Sequence, residues 1–209
     1  VITQGIIPGV KPPVAVVGEA LFDCFPDGTR VLGGAPFNVA WHLAGFGLAP
    51  RFISRVGDDT GGREMRRAMR EWGLDDHDLL VDPSAATGQV QVHESADGEP
   101  GYTIAPDQAF DRIEPGLDPP LTDETVLYHG SLALRDCRTR ASVEACVASA
   151  GPVFVDCNLR APWWTEEVLA TAVQRARWVK LNAEELAIIA GAFGVAAEGT
   201  SLIDQASGL

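Results

Sequence analysis

A chain of 209 residues, 46% hydrophobic and 22% charged, has the length and composition of a globular protein with a sizeable core. Its formal net charge of −13 opposes nucleic-acid binding, which needs a basic footprint. No apolar run approaches the length of a membrane span, so no membrane partner and a cytoplasmic location are expected.

The opening VITQGIIPGVKPP has neither a basic start nor a long apolar stretch, so no secretory signal is expected there. VAVVG (14–18) predicts a buried strand. FDCFPDGTRVLG (22–33) alternates apolar and polar residues around a turn and predicts hairpin material. PFNVAWHLAGF (36–46), closed by Gly47, predicts a helix; RFISRVG (51–57) a strand; GREMRRAMREW (62–72), closed by Gly73, a helix. GQVQVHESADGEPGYTI (88–104) repeats the hairpin pattern, and with 22–33 it predicts a small β lid. Strand and helix then alternate: TVLYHG (125–130), TRASVEACVASA (139–150), VFVDCN (153–158), TEEVLATAVQRA (165–176), RWVKLN (177–182) and AEELAIIAGAF (183–193).

Such alternation predicts an α/β fold of three layers, a mostly parallel central sheet covered by helices on both faces. Ligands bind such sheets beyond the carboxyl ends of the strands. The polar residues fall there: Glu19 and Asp23, Gly57–Asp59, Gly130–Ser131, Asp156–Arg160 and Asn182–Glu185. Cys24, Cys137, Cys146 and Cys157 form no CxxC pair and have no histidine at metal-ligand spacing, which predicts reduced, mostly buried thiols.

The stretch GGAPFNVAWHLAGFG (33–47) supports two readings. Two glycines bare the backbone to a ligand, with Asn38 donating to and accepting from it; or they form a turn with Asn38 capping a helix. Asp23 is likewise either a carboxylate for adjacent hydroxyls or an exposed loop residue. Neither GxxxxGK[ST] nor GxGxxG occurs.

Taken in order, GEALFD (18–23), GGAPFNVA (33–40), VGDDTGGREM (56–65), HGSLAL (129–134), DCNLRAPWW (156–164) and KLNAEEL (180–186) resemble the ribokinase-like, or phosphofructokinase-B, sugar kinases. The resemblance runs from Val14 to Phe193 and is nearest to fructokinases, since the glycine loop lacks the lysine common in ribokinases. It implies a domain over 14–209 with lid segments 22–33 and 88–104 inserted. It implies that Asp23, Gly33, Gly34 and Asn38 hold sugar hydroxyls and that Arg160 faces the substrate or the transferring phosphate. Lys180, Asn182 and Glu185 are then placed near the nucleotide phosphates, Glu185 helping to hold Mg²⁺ through water.

ATP and Mg²⁺ are the implied cofactors. The implied activity is phosphorylation of a small sugar, first of all fructose at a primary hydroxyl. Ribose, a nucleoside or 2-keto-3-deoxygluconate are alternatives, as is a non-catalytic sugar-binding or regulatory paralogue. Apart from the resemblance, exposed lid strands invite edge pairing between subunits, so a homodimer through the lid strands is a further expectation. The pattern also departs from the family: Cys157 replaces a common proline, and Phe37 a small residue. No GAGD-type turn, source of the catalytic base and the γ-phosphate anion hole, occurs in these residues. Asp204 is the only aspartate after Asp156 and lacks a glycine turn before it. The chain is therefore expected to be C-terminally incomplete or degenerate, and inactive in transfer by itself.

Overall fold

The computed structural model describes residues 12–94, 100–114 and 116–194. Asp204, residues 195–209 and the 95–99 part of the second lid segment lie outside the described residues. In chain order the elements begin with β1 Val14–Val17, β2 Leu21–Cys24, β3 Arg30–Gly33, α1 Ala35–Gly45, β4 Arg51–Gly57 and α2 Thr60–Trp72. There follow β5 Leu79–Asp82, β6 Gly88–Glu94, β7 Pro100–Ile104, β8 Val126–Gly130 and α3 Cys137–Ser149. The last described are β9 Val153–Asp156, α4 Glu166–Gln174, β10 Trp178–Lys180 and α5 Ala183–Ala192. Among the described residues no helix is long and apolar enough to cross a membrane.

Six strands make one parallel sheet in the order β10-β9-β8-β1-β4-β5. Side chains alternate across β1, so Ala15 and Val17 feed one core and Val16 the other. The first core packs them with Val143 and Cys146 of α3, Ala172 and Val173 of α4, and Ile189 of α5. The second packs Val16 and Phe52 against Phe37 of α1 and Met65 and Met69 of α2. Both faces are therefore covered, as the alternation of elements predicts.

From β1 the chain moves outward to β4 and β5, then returns to β8 on the other side of β1. The carboxyl end of β1 is thus a switch point, where open α/β sheets leave a crevice. Gly18–Ala20 leads directly from that point into the second sheet, which has the order β3-β2-β6-β7. This sheet combines the two hairpin segments: β2 and β3 pair antiparallel, β6 and β7 pair antiparallel, and β2 joins β6 in parallel. Leu21, Val90 and Ile104 on its inner face pack with Phe110 and Leu132 as a third apolar cluster.

α1 and α2 touch through a stacked pair of indoles, Trp41 and Trp72, with centroids 4.9 Å apart and planes 4° from parallel. Trp72 Nε1 also donates to the Trp41 carbonyl at 2.9 Å. Gly73 closes α2 with φ 83, the left-handed turn that glycine adopts readily. Asp59 caps the other end of α2. Its carboxylate accepts from Gly62 N at 2.8 Å, from Thr87 N at 2.8 Å and from Thr87 Oγ1 at 2.6 Å, tying the helix to the start of β6.

Candidate active site

A cavity of about 230 Å³ opens at the switch point between the sheets. Leu21 and Asp23 of β2, Val90 of β6, and Tyr102 and Ile104 of β7 contribute the lid side. Gly34, Ala35 and Asn38 contribute the start of α1, and Glu19, Leu132, Asn158 and Arg160 the loops after β1, β8 and β9. Asp23 reaches it because side chains alternate along β2: Leu21 and Asp23 share one face. Partial burial raises the Asp23 pKa, and the Arg160 charge opposes that rise.

Asn38 does not cap α1. The N-cap is Gly34, and Asn38 lies in the first turn, exposed beside the cavity, its backbone N–H bonded to Gly34 O at 2.9 Å. Arg160 makes no ion pair among the described residues. Its guanidinium lies 5.3 Å over the Tyr102 ring, which holds a cation at the mouth of the cavity without neutralising it.

Gly34 lines the cavity, and both glycines also make room for neighbouring groups. A Cβ on Gly33 would run into the Asp23 carboxylate, and Gly33 itself does not line the cavity. A Cβ on Gly34 would meet the Glu19 carbonyl oxygen at 2.5 Å and Glu19 Cγ at 3.3 Å, and φ there is 104. Each glycine therefore clears room for an acidic residue of the cavity. The sequence places Glu19 beyond β1 without giving it a role, and the structure buries it at the cavity. It is 3% exposed, and burial raises its pKa to about 7, against the pull of the Glu19 and Ala35 amides and of the Arg135 and Arg160 charges. Its sequence signal is a lone acid placed straight after a fully buried strand and a glycine. Asn158, within the polar stretch Asp156–Arg160, also lines the cavity with φ 36, a left-handed conformation in which asparagine is enriched.

Lys180, Asn182 and Glu185 lie outside this cavity lining, at the end of β10 and the start of α5. Lys180 Nζ is 2.8 and 2.9 Å from the two Asp156 carboxylate oxygens, and Tyr128 Oη donates to the same group at 2.9 Å. Asn182 and Glu185 form a reciprocal capping box: Asn182 Oδ1 accepts from Glu185 N at 2.9 Å, and Glu185 Oε2 accepts from Asn182 N at 2.8 Å. The other oxygen, Oε1, accepts from Leu159 N at 2.8 Å. Glu185 thereby fixes the turn before Arg160, which links this pair to the cavity. Among the described residues no group of three or more His, Cys, Asp and Glu could hold a metal ion. Cys146 and Cys157 are buried thiols, pushed up to about 11 and about 12 by burial.

Residues 15–208 match the family model described as "pfkB family carbohydrate kinase". Fructokinase of Klebsiella pneumoniae is 35% identical over 190 residues, which cover 84% of this chain and 62% of that protein. The fructokinase of Vibrio cholerae O395, solved in a fructose, ADP and calcium ion bound form, superposes with a TM-score of 0.76 at 27% identity, over 94% of this chain and 66% of that one. Aminoimidazole riboside kinase of Salmonella enterica, solved with aminoimidazole riboside and an ATP analogue, gives 0.74 at 27% identity over 86% and 62%. The chain thus spans about six-tenths of the length of the curated relatives it matches. Matched over nearly all of its residues and sharing the fold of two solved sugar kinases, the chain belongs to the pfkB family of carbohydrate kinases.

Proposed function

We propose that the protein is an ATP-dependent sugar kinase, with fructose its substrate and a primary hydroxyl the acceptor. The supporting observation is the cavity at the switch point, where Asp23, Asn38 and an unneutralised Arg160 converge. Asp23 accepts hydrogen bonds from adjacent hydroxyls, a charge-assisted and bidentate arrangement. Asn38 takes a further hydroxyl as donor or acceptor. Arg160 offsets negative charge on the incoming phosphoryl group. Lys180, Asn182 and Glu185 border the nucleotide side. ATP supplies the phosphoryl group when bound. Mg²⁺ is its proposed companion, held by Glu185 through water, since each Glu185 oxygen keeps an acceptor site beside its backbone N–H and the described residues hold no group of three or more His, Cys, Asp and Glu for direct ligation.

A riboside is the second reading, favoured by the similarity to the aminoimidazole riboside kinase. The test is an ADP-release assay on the full-length protein with fructose, ribose, 2-keto-3-deoxygluconate and aminoimidazole riboside. Fructose is expected to give the highest kcat/KM, and Asp23→Ala is expected to lower it by at least about a hundredfold, the loss of a charge-assisted pair. A higher kcat/KM for the riboside replaces the substrate. No turnover with any of them, beside saturable fructose binding, selects a non-catalytic sugar-binding protein.

A further inference from the structure

Glu19 and Asp23 stand on adjoining segments of the same cavity, each in a space that one glycine leaves open. Asp23 is the expected sugar carboxylate; nothing so far accounts for Glu19. Its own amide and that of Ala35, at the start of α1 where Gly34 offers no side-chain cap, favour the charged carboxyl against its burial. Those amides help a carboxyl to sit there but do not account for its second oxygen. Glu19 Oε2 is buried and has no hydrogen-bond partner. A buried polar atom without a partner costs free energy, and sites that persist with one commonly have the missing partner supplied by a ligand.

We infer that Glu19 is a second sugar-reading carboxyl: it lines the cavity, and its unpartnered Oε2, closed off while the cavity is empty, turns to take a hydrogen bond from a hydroxyl of the bound substrate and so sets which sugars the cavity accepts. The inference rests on the cavity being the sugar site. The carboxyl exchanges its proton near neutral pH, so it can meet a hydroxyl as acceptor or as donor. A site that bonds a particular hydroxyl rejects the analogue lacking it much more strongly than an apolar wall rejects an extra group. The rival role is internal: Arg135 Nη1 is also buried without a partner, and a trapped water joining it to Glu19 would make the pair structural.

Calorimetric titration of the full-length protein with fructose and its monodeoxy analogues decides between the two. Glu19→Gln keeps an oxygen for the Ala35 amide and presents an NH₂, a donor only, in place of Oε2. The wild type is expected to bind one monodeoxy analogue about tenfold or more worse than fructose. Glu19→Gln is expected to lose most of that discrimination while melting no lower than the wild type. Glu19→Met serves if the amide variant is poorly folded, and should bind fructose and that analogue alike. An unchanged ranking of the sugars in a folded variant overturns the inference, as does a lowered melting temperature with unchanged sugar affinity, which would assign Glu19 to the internal role. If Asp23→Ala leaves fructose binding intact, or the wild type binds no fructose, the cavity is not the sugar site and both readings fall.

Discussion

A methyl group at Gly33 would displace the Asp23 carboxylate, whereas one at Gly34 would press on the Glu19 backbone at a φ of 104. The two substitutions are therefore expected to separate. Gly33→Ala should weaken sugar binding with little change in melting temperature, because a side-chain carboxylate can give way. Gly34→Ala should cost about 1–3 kcal/mol of stability in a denaturant titration, the usual range for a residue forced into a glycine-only conformation. Equal stability losses in both would show that Asp23 has no freedom to move. Glu19 adds a pH signature. Burial raises its pKa from 4.5 to about 7, so the folded state keeps this proton after the unfolded chain has released it. Its contribution favours the folded state below 4.5 and is lost as pH rises towards 7. Melting temperatures followed across that window should fall less in Glu19→Gln than in the wild type. At this scale the sequence was legible for Asp23, Asn38 and Arg160, which come together, but not for the glycines. Their exact neighbours are side chains on other segments, and no local pattern reveals which atoms approach a missing Cβ.

Helix caps are where elements and site meet. Glu185 ends one backbone accounting problem at α5 and another at Leu159, two residues that the chain separates widely. Glu185→Ala is expected to cost about 2–4 kcal/mol, a cap plus a newly unpaired amide, and to weaken sugar binding by loosening the turn that carries Arg160. Calorimetry showing full sugar affinity in the folded variant would disconnect the turn from Glu185. The strands and helices themselves were mostly plain in the sequence, since buried parallel strands read as short apolar runs and the helices end at Gly47 and Gly73. β5 was missed. Its four residues LLVD bury only Leu79 and Asp82 and expose the two between, the habit of an edge strand, so it shows neither an apolar run nor simple alternation.

Across the whole molecule the two sheets differ in how well they are enclosed. The strands β1 and β8 have neighbours on both edges and helices on both faces, while β7 is an edge strand with Tyr102 45% exposed. Hydrogen exchange should therefore be slowest at Ala15–Val17 and Leu127–Tyr128 and fastest, among strands, in β7. Saturating sugar should slow β2 and β7 selectively. Protection that rises equally in both sheets would indicate global stabilisation instead of closure over the cavity. That the hairpin segments form one sheet could be anticipated only in part, because the parallel pairing of β2 with β6 joins residues far apart in sequence and depends on tertiary packing.

The stacked indoles between α1 and α2 make the protein its own spectrometer. Two chromophores 4.9 Å apart in nearly parallel planes share their excitation, and held in a chiral frame they should split the far-ultraviolet circular dichroism into a paired positive and negative band. The amplitude then reports the docking of α1, whose first turn forms part of the cavity wall, without any added label. Trp72→Phe should abolish the paired band while sparing the helical signal. If the band survives that change it arises elsewhere; if it vanishes, its growth during refolding marks the moment when the cavity floor is assembled.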